Sequence, residues 1–264
     1  MPTSIPGRHF ARNLIQSKSL LFQLVKRDFQ QRYIGSAAGW VWSIIHPLVL
    51  WLSYVFIFHT MKMNPVPHFS LVLFVGMLPW FLFSETVMRA SNSIVEHSNL
   101  ITKTIFPSEI LPVAIFLSSL ASHVVVTVIA AVVAGIVVGG WGPALLLLPV
   151  WALLGALFSI GVGWIAAGLQ VYLRDTAQVV TVVMTFWFWL TPIFLPEANY
   201  EKWGHWILRW NPMAYFVRAY RYMLLGNEGR PLHDMVAAGV FGVAVFVLGG
   251  LFFRQMKKGF ADVL

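Results

Sequence analysis

The side chains that could carry out chemistry in this chain are few and far apart. Its only aspartates are Asp28, Asp175, Asp234 and Asp262, whereas many metal-dependent glycosyltransferases use paired aspartates. The sequence contains no His-Glu-x-x-His motif and no Gly-Lys dipeptide, so a zinc-protease helix and a standard phosphate-binding loop are excluded. Zero cysteines exclude disulfides, thiolate metal sites and cysteine nucleophiles. We therefore expect no catalytic residues, no metal site and no ATP site in this chain.

Ionisable residues within apolar runs are also rare. Glu85 and Arg89 lie four residues apart near the end of one run, a spacing and order that favour an ion pair within one helix. His123 stands alone in another run, where a hydrogen-bonded packing role is more common than a proton-relay role. A secondary transporter would show ionisable groups near mid-membrane and inverted repeats, and no clear repeat is present.

The composition identifies the class of protein to which these residues belong. Of 264 residues, 58% are hydrophobic and 11% are charged, and the mean hydropathy is +0.75. Soluble domains average about 25% charged and about 45–50% apolar residues, so a soluble or disordered chain is excluded. The sequence predicts an all-α polytopic membrane protein with one transmembrane domain. Its net charge of +8 suits loop orientation or anionic lipid, and we do not expect nucleic acid as a partner.

Six stretches are long and apolar enough to cross a bilayer, which takes roughly 20 residues each. The predicted spans are residues 38–61, 69–88, 110–139, 143–173, 176–195 and 235–253. Basic residues are concentrated in the N-terminal segment and in alternate loops, whereas the first opposite loop has only Lys62 and the loop at 139–142 has none. Both termini are therefore expected to be cytoplasmic.

Two further segments are predicted to be helical without crossing the membrane. Residues 17–34 have an apolar stripe flanked by basic residues, which is typical of an amphipathic helix at the membrane interface; a simple anchor and a functional role are both open. Residues 199–225 predict two short re-entrant helices at the outer face, separated at Asn211-Pro212.

Aromatic residues are dense around the predicted fifth span and the loop that follows it. Most would form interfacial belts, but aromatic faces also stack on sugar rings, so a subset lining a glycan path is the sharper hypothesis. The candidate path residues are Trp51, Tyr54, Trp80, Phe81, Trp187, Trp189, Trp203, Trp206, Tyr215, Arg218 and Arg221.

Five short segments, in order along the chain, resemble those of a known family. They are Arg32–Pro47, Gly76–Phe83, Leu100–Pro107, Tyr172–Asp175 and Trp210–Met213. Together they resemble landmarks of type-2 ABC exporter permeases that move bacterial polysaccharides, such as O-antigen, capsular polysaccharide and teichoic acid permeases. The resemblance covers nearly the whole chain.

The resemblance implies the parts that the chain lacks. Such a permease forms a homodimer and binds two copies of a separate ATP-binding cassette subunit, which holds the ATP and magnesium. The complex would move a lipid-linked polysaccharide outward across the bacterial inner membrane, with periplasmic or outer-membrane export components as further candidate partners. Residues 91–106 would be the cytoplasmic coupling segment. The candidate coupling residues are Ile94, Glu96, Leu100, Ile101, Lys103, Arg174 and Asp175.

The N-terminal helix would contribute to a lateral entrance for an anionic lipid pyrophosphate. The candidate entrance residues are Lys26, Arg27, Arg32 and Tyr33. Two alternatives stay open from the sequence. One is a permease for a drug, a small lipid or a lipo-oligosaccharide, and the other is a membrane-embedded acyl- or glycosyltransferase, which would need clustered His or acidic residues at one membrane face.

Overall fold

The chain folds into helices joined by short connections. A computed structural model describes residues 18–32, 34–62, 66–104, 106–194, 200, 202–226 and 231–264, and every regular element in these ranges is helical. Three short 3-10 turns, Gly39–Val41, Pro143–Leu147 and Lys257–Gly259, accompany the α-helices. The α-helices are α1 Lys18–Gln31, α2 Trp42–Thr60, α3 Phe69–Glu96, α4 Ser98–Lys103, α5 Ile110–Val138, α6 Leu148–Tyr172, α7 Thr176–Leu190, α8 Lys202–Trp210, α9 Pro212–Leu225, α10 Pro231–Met256 and α11 Phe260–Val263.

Five of the six predicted spans are confirmed as helices long and apolar enough to cross a membrane. With their adjoining turns, these are Gly39–Thr60, Phe69–Glu96, Ile110–Val138, Pro143–Tyr172 and Pro231–Val263. The stretch predicted as the fifth span, 176–195, contains the apolar helix α7, which has 15 residues, fewer than the roughly 20 that a span requires. The all-α polytopic architecture is therefore confirmed for the described residues.

Helix α3 lies at the centre of the bundle and extends further than the sequence predicted. It continues to Glu96, beyond the predicted end at residue 88. Ser91 and Ser93 are buried, and their hydroxyls donate to the carbonyls of Met88 and Ala90 at 2.7 Å. Because the hydroxyl groups find hydrogen-bond acceptors within the helix itself, both serines can be buried and the helix continues without a break. The described part of the predicted coupling segment 91–106 thus begins with the end of α3, a break at His97 and the short helix α4, and Ile105 lies outside the described residues.

Glycines bring α6 and α10 into direct backbone contact. A Cβ atom on Gly161 would lie 2.6 Å from the carbonyl oxygen of Val245, and one on Gly249 would collide with the carbonyl of Gly161. Small residues at such crossings allow close helix packing in membranes. Helices α6 and α10 therefore behave as one packed pair.

Two hydrophobic clusters mark opposite ends of the bundle. Near the start of α3, aromatic residues pack around α7 and α9; we call this the α9 end. Near the end of α3, residues from α1, α4 and α11 join α5, α6 and α10; we call this the α4 end. In contrast, none of the apolar window in Gly39–Thr60 is buried within the chain, so α2 packs at the edge of the bundle.

Candidate functional site

Asn211 joins the end of α7 to the start of α9. Its side-chain oxygen accepts hydrogen bonds from the Trp187 indole N–H at 2.8 Å and from the Met213 backbone N–H at 3.1 Å. Its amide nitrogen donates to the Leu190 carbonyl and to the Thr191 hydroxyl, both at 3.2 Å. Asn followed by Pro is a good beginning for a helix, because Asn caps the first N–H groups and Pro lacks one. The same side chain here also satisfies the carbonyl end of a second helix.

Arg221 holds the chain that follows α7. Its guanidinium donates to the carbonyls of Pro192 at 3.0 Å and Ile193 at 2.6 Å, and more weakly to that of Val72 at 3.4 Å. Gly76 leaves room for it, since a Cβ there would lie 3.0 Å from an Arg221 terminal nitrogen. Carbonyls released by a helix break need such donors inside a membrane. Arg221 therefore binds the backbone at this break rather than projecting from α9 as a free cation.

Four of the predicted path residues meet in one aromatic cluster at the α9 end. The Tyr54 ring lies 6.1 Å from that of Trp189, and the Trp80 ring lies 6.2 Å from that of Trp187. Phe188 contacts Tyr54, Trp80 and Trp189, and Phe194 stacks on Trp189 at 4.7 Å. The rings of the cluster differ in solvent exposure, since Trp80 is 5% exposed and Trp189 is 55% exposed. Only Trp189 presents a largely open ring face.

The other predicted path residues lie at separate places. Trp51 packs on Phe74 and donates its indole N–H to the Ser70 carbonyl at 2.7 Å, and Phe81 is half-buried against the aromatic core. Trp206 on α8 is exposed. Trp203 also lies on α8, but its side chain is outside the described structure.

Arg218 and Tyr215 belong to a local ion-pair site with α10. The Arg218 guanidinium makes two hydrogen bonds to the buried Asp234 carboxylate, at 2.9 and 3.0 Å, and lies 4.6 Å from the centre of the Tyr215 ring. The Tyr215 hydroxyl donates to the Arg209 carbonyl at 2.7 Å. This arrangement neutralises the Arg218 charge and links α8, α9 and α10.

His123 forms a second link to α9. Its Nε2 lies 2.8 Å from the Tyr220 hydroxyl and 3.2 Å from the Thr127 hydroxyl, and all three residues are buried. The structure thus confirms that His123 is hydrogen-bonded in the packed interior.

A four-charge cluster fastens α1 to the bundle at the α4 end. Arg32 donates to the Glu85 carboxylate at 2.6 Å, and Arg89 donates to the Asp28 carboxylate at 2.6 Å. The Ser119 hydroxyl on α5 accepts from Arg32 at 2.9 Å and donates to Glu85 at 3.0 Å. The predicted pair within α3, Glu85 with Arg89, is present at 3.7 Å. Each partner also makes a shorter contact, Glu85 to Arg32 just after α1 and Arg89 to Asp28 on α1. Two positive and two negative charges therefore compensate one another between helices.

The predicted entrance residues differ in whether they are ion-paired or exposed. Arg32 belongs to the four-charge cluster, whereas Lys26 and Arg27 are exposed on α1. Tyr33 lies outside the described residues. Sequence reasoning did not identify Asp28 as the partner of Arg89. The sequence did carry one signal for this partner, because Asp28 is the only acidic residue before Glu85.

The predicted coupling residues lie together at the α4 end with different degrees of burial. Ile94 is fully buried, Leu100 and Ile101 are half-buried on α4, and Glu96 and Lys103 are exposed. Arg174 and Asp175 are exposed in the turn between α6 and α7. Gln170, which sequence reasoning missed, shapes this turn by donating to the Arg174 carbonyl at 2.9 Å and accepting from the Ala177 N–H at 2.7 Å.

The sequence profile of the family described as ABC-2 type transporter matches residues 19–225. This range covers nearly all of α1 and the whole of α2 to α9, and so includes the sites described above except for Asp234 on α10. The chain belongs to the ABC-2 type transporter family. The resemblance to type-2 ABC exporter permeases noted in the sequence is confirmed.

Curated relatives of this ABC-2 type transporter match over nearly their full length. The chain is 28% identical over 254 residues to the O-antigen export system permease protein RfbA of Myxococcus xanthus, covering 95% of this chain and 97% of the relative. It is 27% identical over 249 residues to an O-antigen export system permease protein RfbA of Klebsiella pneumoniae, covering 93% and 95% respectively. A second such protein from Klebsiella pneumoniae is 27% identical over 250 residues.

Proposed function

We propose that this chain is the membrane-spanning permease subunit of an ATP-driven ABC exporter. Its substrate is a lipid-linked bacterial surface polysaccharide, moved from the cytoplasmic side across the inner membrane. The observation that carries the proposal is the similarity to O-antigen export system permeases over 95% of this chain and 97% of the relative. ATP and magnesium bind to a separate partner subunit, a division of labour that the missing Gly-Lys dipeptide supports.

In this proposal the chain crosses the membrane six times, with α7 as the fifth crossing. At 1.5 Å per residue, its 15 residues extend about 22 Å, less than the hydrocarbon thickness of about 30 Å. The buried, non-helical residues 191–194 continue the crossing. Hydrogen bonds from Asn211 and Arg221 to the carbonyls of this region support it, because lipid offers no other donors.

The orientation follows from the distribution of basic residues. The α4 end, with α1 and both termini, faces the cytoplasm, and α1 lies in the inner interface. Helices α8 and α9 re-enter the membrane from the outer side. Exposed Trp206, Trp210 and Arg209 on α8 support this placement, since Trp and Arg are favoured at membrane interfaces.

Two copies of the chain form the permease. The exposed apolar faces of α2 and α7 support a homodimer, because these two helices border the aromatic cluster and leave large hydrophobic side chains exposed beside it. On α7 these side chains are Val179, Val182, Val183, Phe186 and Trp189. The polysaccharide passes between the copies along the aromatic cluster at the α9 end. Aromatic contacts suit a sliding polymer, since each is worth only about 0.5–1.5 kcal/mol beyond burial.

Two copies of an ATP-binding cassette subunit bind at the α4 end. Their docking surface includes α4 and the turn carrying Arg174 and Asp175, which are exposed there. The exposed Lys26 and Arg27 on α1 lie at this end and attract the anionic pyrophosphate of the lipid-linked substrate. Periplasmic or outer-membrane export components complete the pathway.

A deletion strain tests this function. Loss of the gene should remove the surface polysaccharide and leave lipid-linked glycan inside the cell, and the intact gene should restore export. The permease purified from the restored strain should carry an ATP-binding subunit. Unchanged surface glycan would reject the proposal, and increased sensitivity of that strain to a lipophilic compound would instead support a small-molecule permease.

A further inference from the structure

The C-terminal tail folds back on the α4 end of the bundle. Residues 257–264, which we call the tail, consist of the turn Lys257–Gly259, the helix α11 and Leu264. Helix α11 packs against both α4 and α6.

Three different interactions hold the tail and the residue that precedes it. The ammonium of Lys257 forms an ion pair with the carboxylate of Glu109. Phe260 is 1% exposed and packs edge-to-face on Phe253, with ring centres 5.4 Å apart. Just before the tail, the Met256 carbonyl accepts a 2.7 Å hydrogen bond from the Tyr172 hydroxyl.

These contacts converge on the segment between α4 and α5. Glu109 directly precedes α5, and its backbone carbonyl accepts a 3.0 Å hydrogen bond from the Trp164 indole N–H. Phe260 lies in the same hydrophobic cluster as Ile101 on α4 and Phe106 in the following connection. The tail and α6 therefore both hold Glu109, which lies between the coupling segment and α5.

Helix α4 depends on such contacts for its position. It has six residues and no side-chain cap at its N-terminus, and an isolated helix of that length is unstable in water. The tail continues from the end of α10 and packs against α4 and α6. Helices α6 and α10 are in turn packed backbone to backbone at Gly161 and Gly249. The tail thus provides a continuous set of contacts from α4 to two spans.

We propose that the tail is a strut that fixes α4 for the ATP-binding subunit, with Lys257 and Phe260 as positioning residues. The proposal rests on the proposed function, because it takes α4 as the element on which the ATP-binding subunit acts. The tail itself does not touch the substrate. Its loss weakens the transmission between hydrolysis and export rather than the assembly of the membrane domain.

The test combines a local structural measurement with a functional one. The variants are Lys257→Glu, Phe260→Ala, the milder Lys257→Gln, and the exchanged pair Lys257→Glu with Glu109→Lys. Lys258→Glu is the matched control, because Lys258 is an exposed neighbour of the same charge. For each, hydrogen exchange of residues 98–103 is measured on the purified permease, and exported surface glycan per permease is measured in a restored deletion strain.

The strut predicts a defined pattern. The Lys257 and Phe260 variants should exchange faster at 98–103, since local opening becomes easier, and Lys257→Glu should lower export per permease by about fivefold or more. The exchanged pair should recover both, and the control should behave as the wild type. Unchanged exchange at 98–103 overturns the proposal, and so does faster exchange with unchanged export per permease.

If the proposed function is wrong, the same experiments give a different result. In that case the wild-type gene restores no glycan export, and the role of the tail in export is rejected with it. The exchange measurement still decides whether the tail holds α4, because it needs neither substrate nor ATP.

Discussion

The indole N–H of Trp187 donates a 2.8 Å hydrogen bond to the side-chain oxygen of Asn211. The sequence marks both residues, Trp187 as a candidate stacking surface and Asn211 as the separator of two short helices, but gives no sign that they meet. Their contact binds α7 to α9 and makes Trp187 an anchor of the α9 end.

Replacing Asn211 with Ala should destabilise the permease strongly. The change removes the acceptor of the half-buried Trp187 indole N–H and of the buried Met213 backbone N–H, which costs about 3 kcal/mol in the free energy of unfolding. Thermal unfolding of the purified permease should show a clear decrease in Tm. Asn99→Ala, at an exposed position on α4, is the control, and equal unfolding temperatures for both variants would contradict the prediction.

Gly76→Ala should lower stability, whereas Gly155→Ala should not. At Gly76 the new methyl group would lie 3.0 Å from an Arg221 nitrogen and disturb the hydrogen bonds to Pro192 and Ile193. At Gly155 the nearest atom, from Phe216, would be at an ordinary 3.7 Å. Helix propensity alone favours Ala by about 1 kcal/mol at both sites, so opposite shifts in Tm distinguish them. A rise at both positions would show that Arg221 is not constrained.

Arg32 and Glu85 should be energetically coupled. Neutralising either one, as Arg32→Gln or Glu85→Gln, leaves a charge of the four-charge cluster uncompensated, and the double variant removes both charges together. A double-mutant cycle on thermal unfolding should give a coupling of about 1 kcal/mol. Lys26→Gln, on the exposed side of the same helix, should show no coupling to Glu85. Additive effects of Arg32→Gln and Glu85→Gln would refute the ion pair.

Glu96→Lys should weaken the complex with the ATP-binding subunit or separate hydrolysis from export. The side chain is exposed at the α4 end, so the charge reversal alters the docking surface without disturbing the core. The measurement is the amount of ATP-binding subunit that co-purifies, together with surface glycan. Lys62→Glu, before the start of α3 and thus at the opposite end of the bundle from Glu96, is the control. Full complex yield and normal export in the Glu96 variant would remove this segment from the docking surface.

Trp189→Ala and Trp80→Ala should fail in different ways. Trp189 is 55% exposed, so its loss should slow glycan export with little change in Tm. Trp80 is 5% exposed, and its truncation should cost about 3–5 kcal/mol of stability. Export per permease and thermal unfolding separate the two effects. Normal export by the Trp189 variant would indicate that Trp189 belongs to the lipid-facing aromatic belt and not to the substrate path.

The helical membrane architecture was predictable because it depends on local composition. Apolar runs that must satisfy their backbone groups in lipid can form only helices or closed barrels, and the lengths of the runs at 110–139 and 143–173 nearly equal those of the observed helices. The end of α3 was not predictable in this way. Ser91, Ser93 and Glu96 look like the start of a polar loop, and the buried surroundings and hydroxyl-to-carbonyl bonds that keep the helix intact are visible only in three dimensions.

The sequence by itself determined the class of protein, the helical segments and the family landmarks, since each of these is encoded in short stretches of neighbouring residues. Only the tertiary structure decided what the charged and aromatic side chains do. Arg221 binds carbonyls as far as 149 positions away in the chain, and Lys257 meets Glu109 across 148 positions. Partners at such separations are set by how whole helices pack, and no local pattern of residues records that packing.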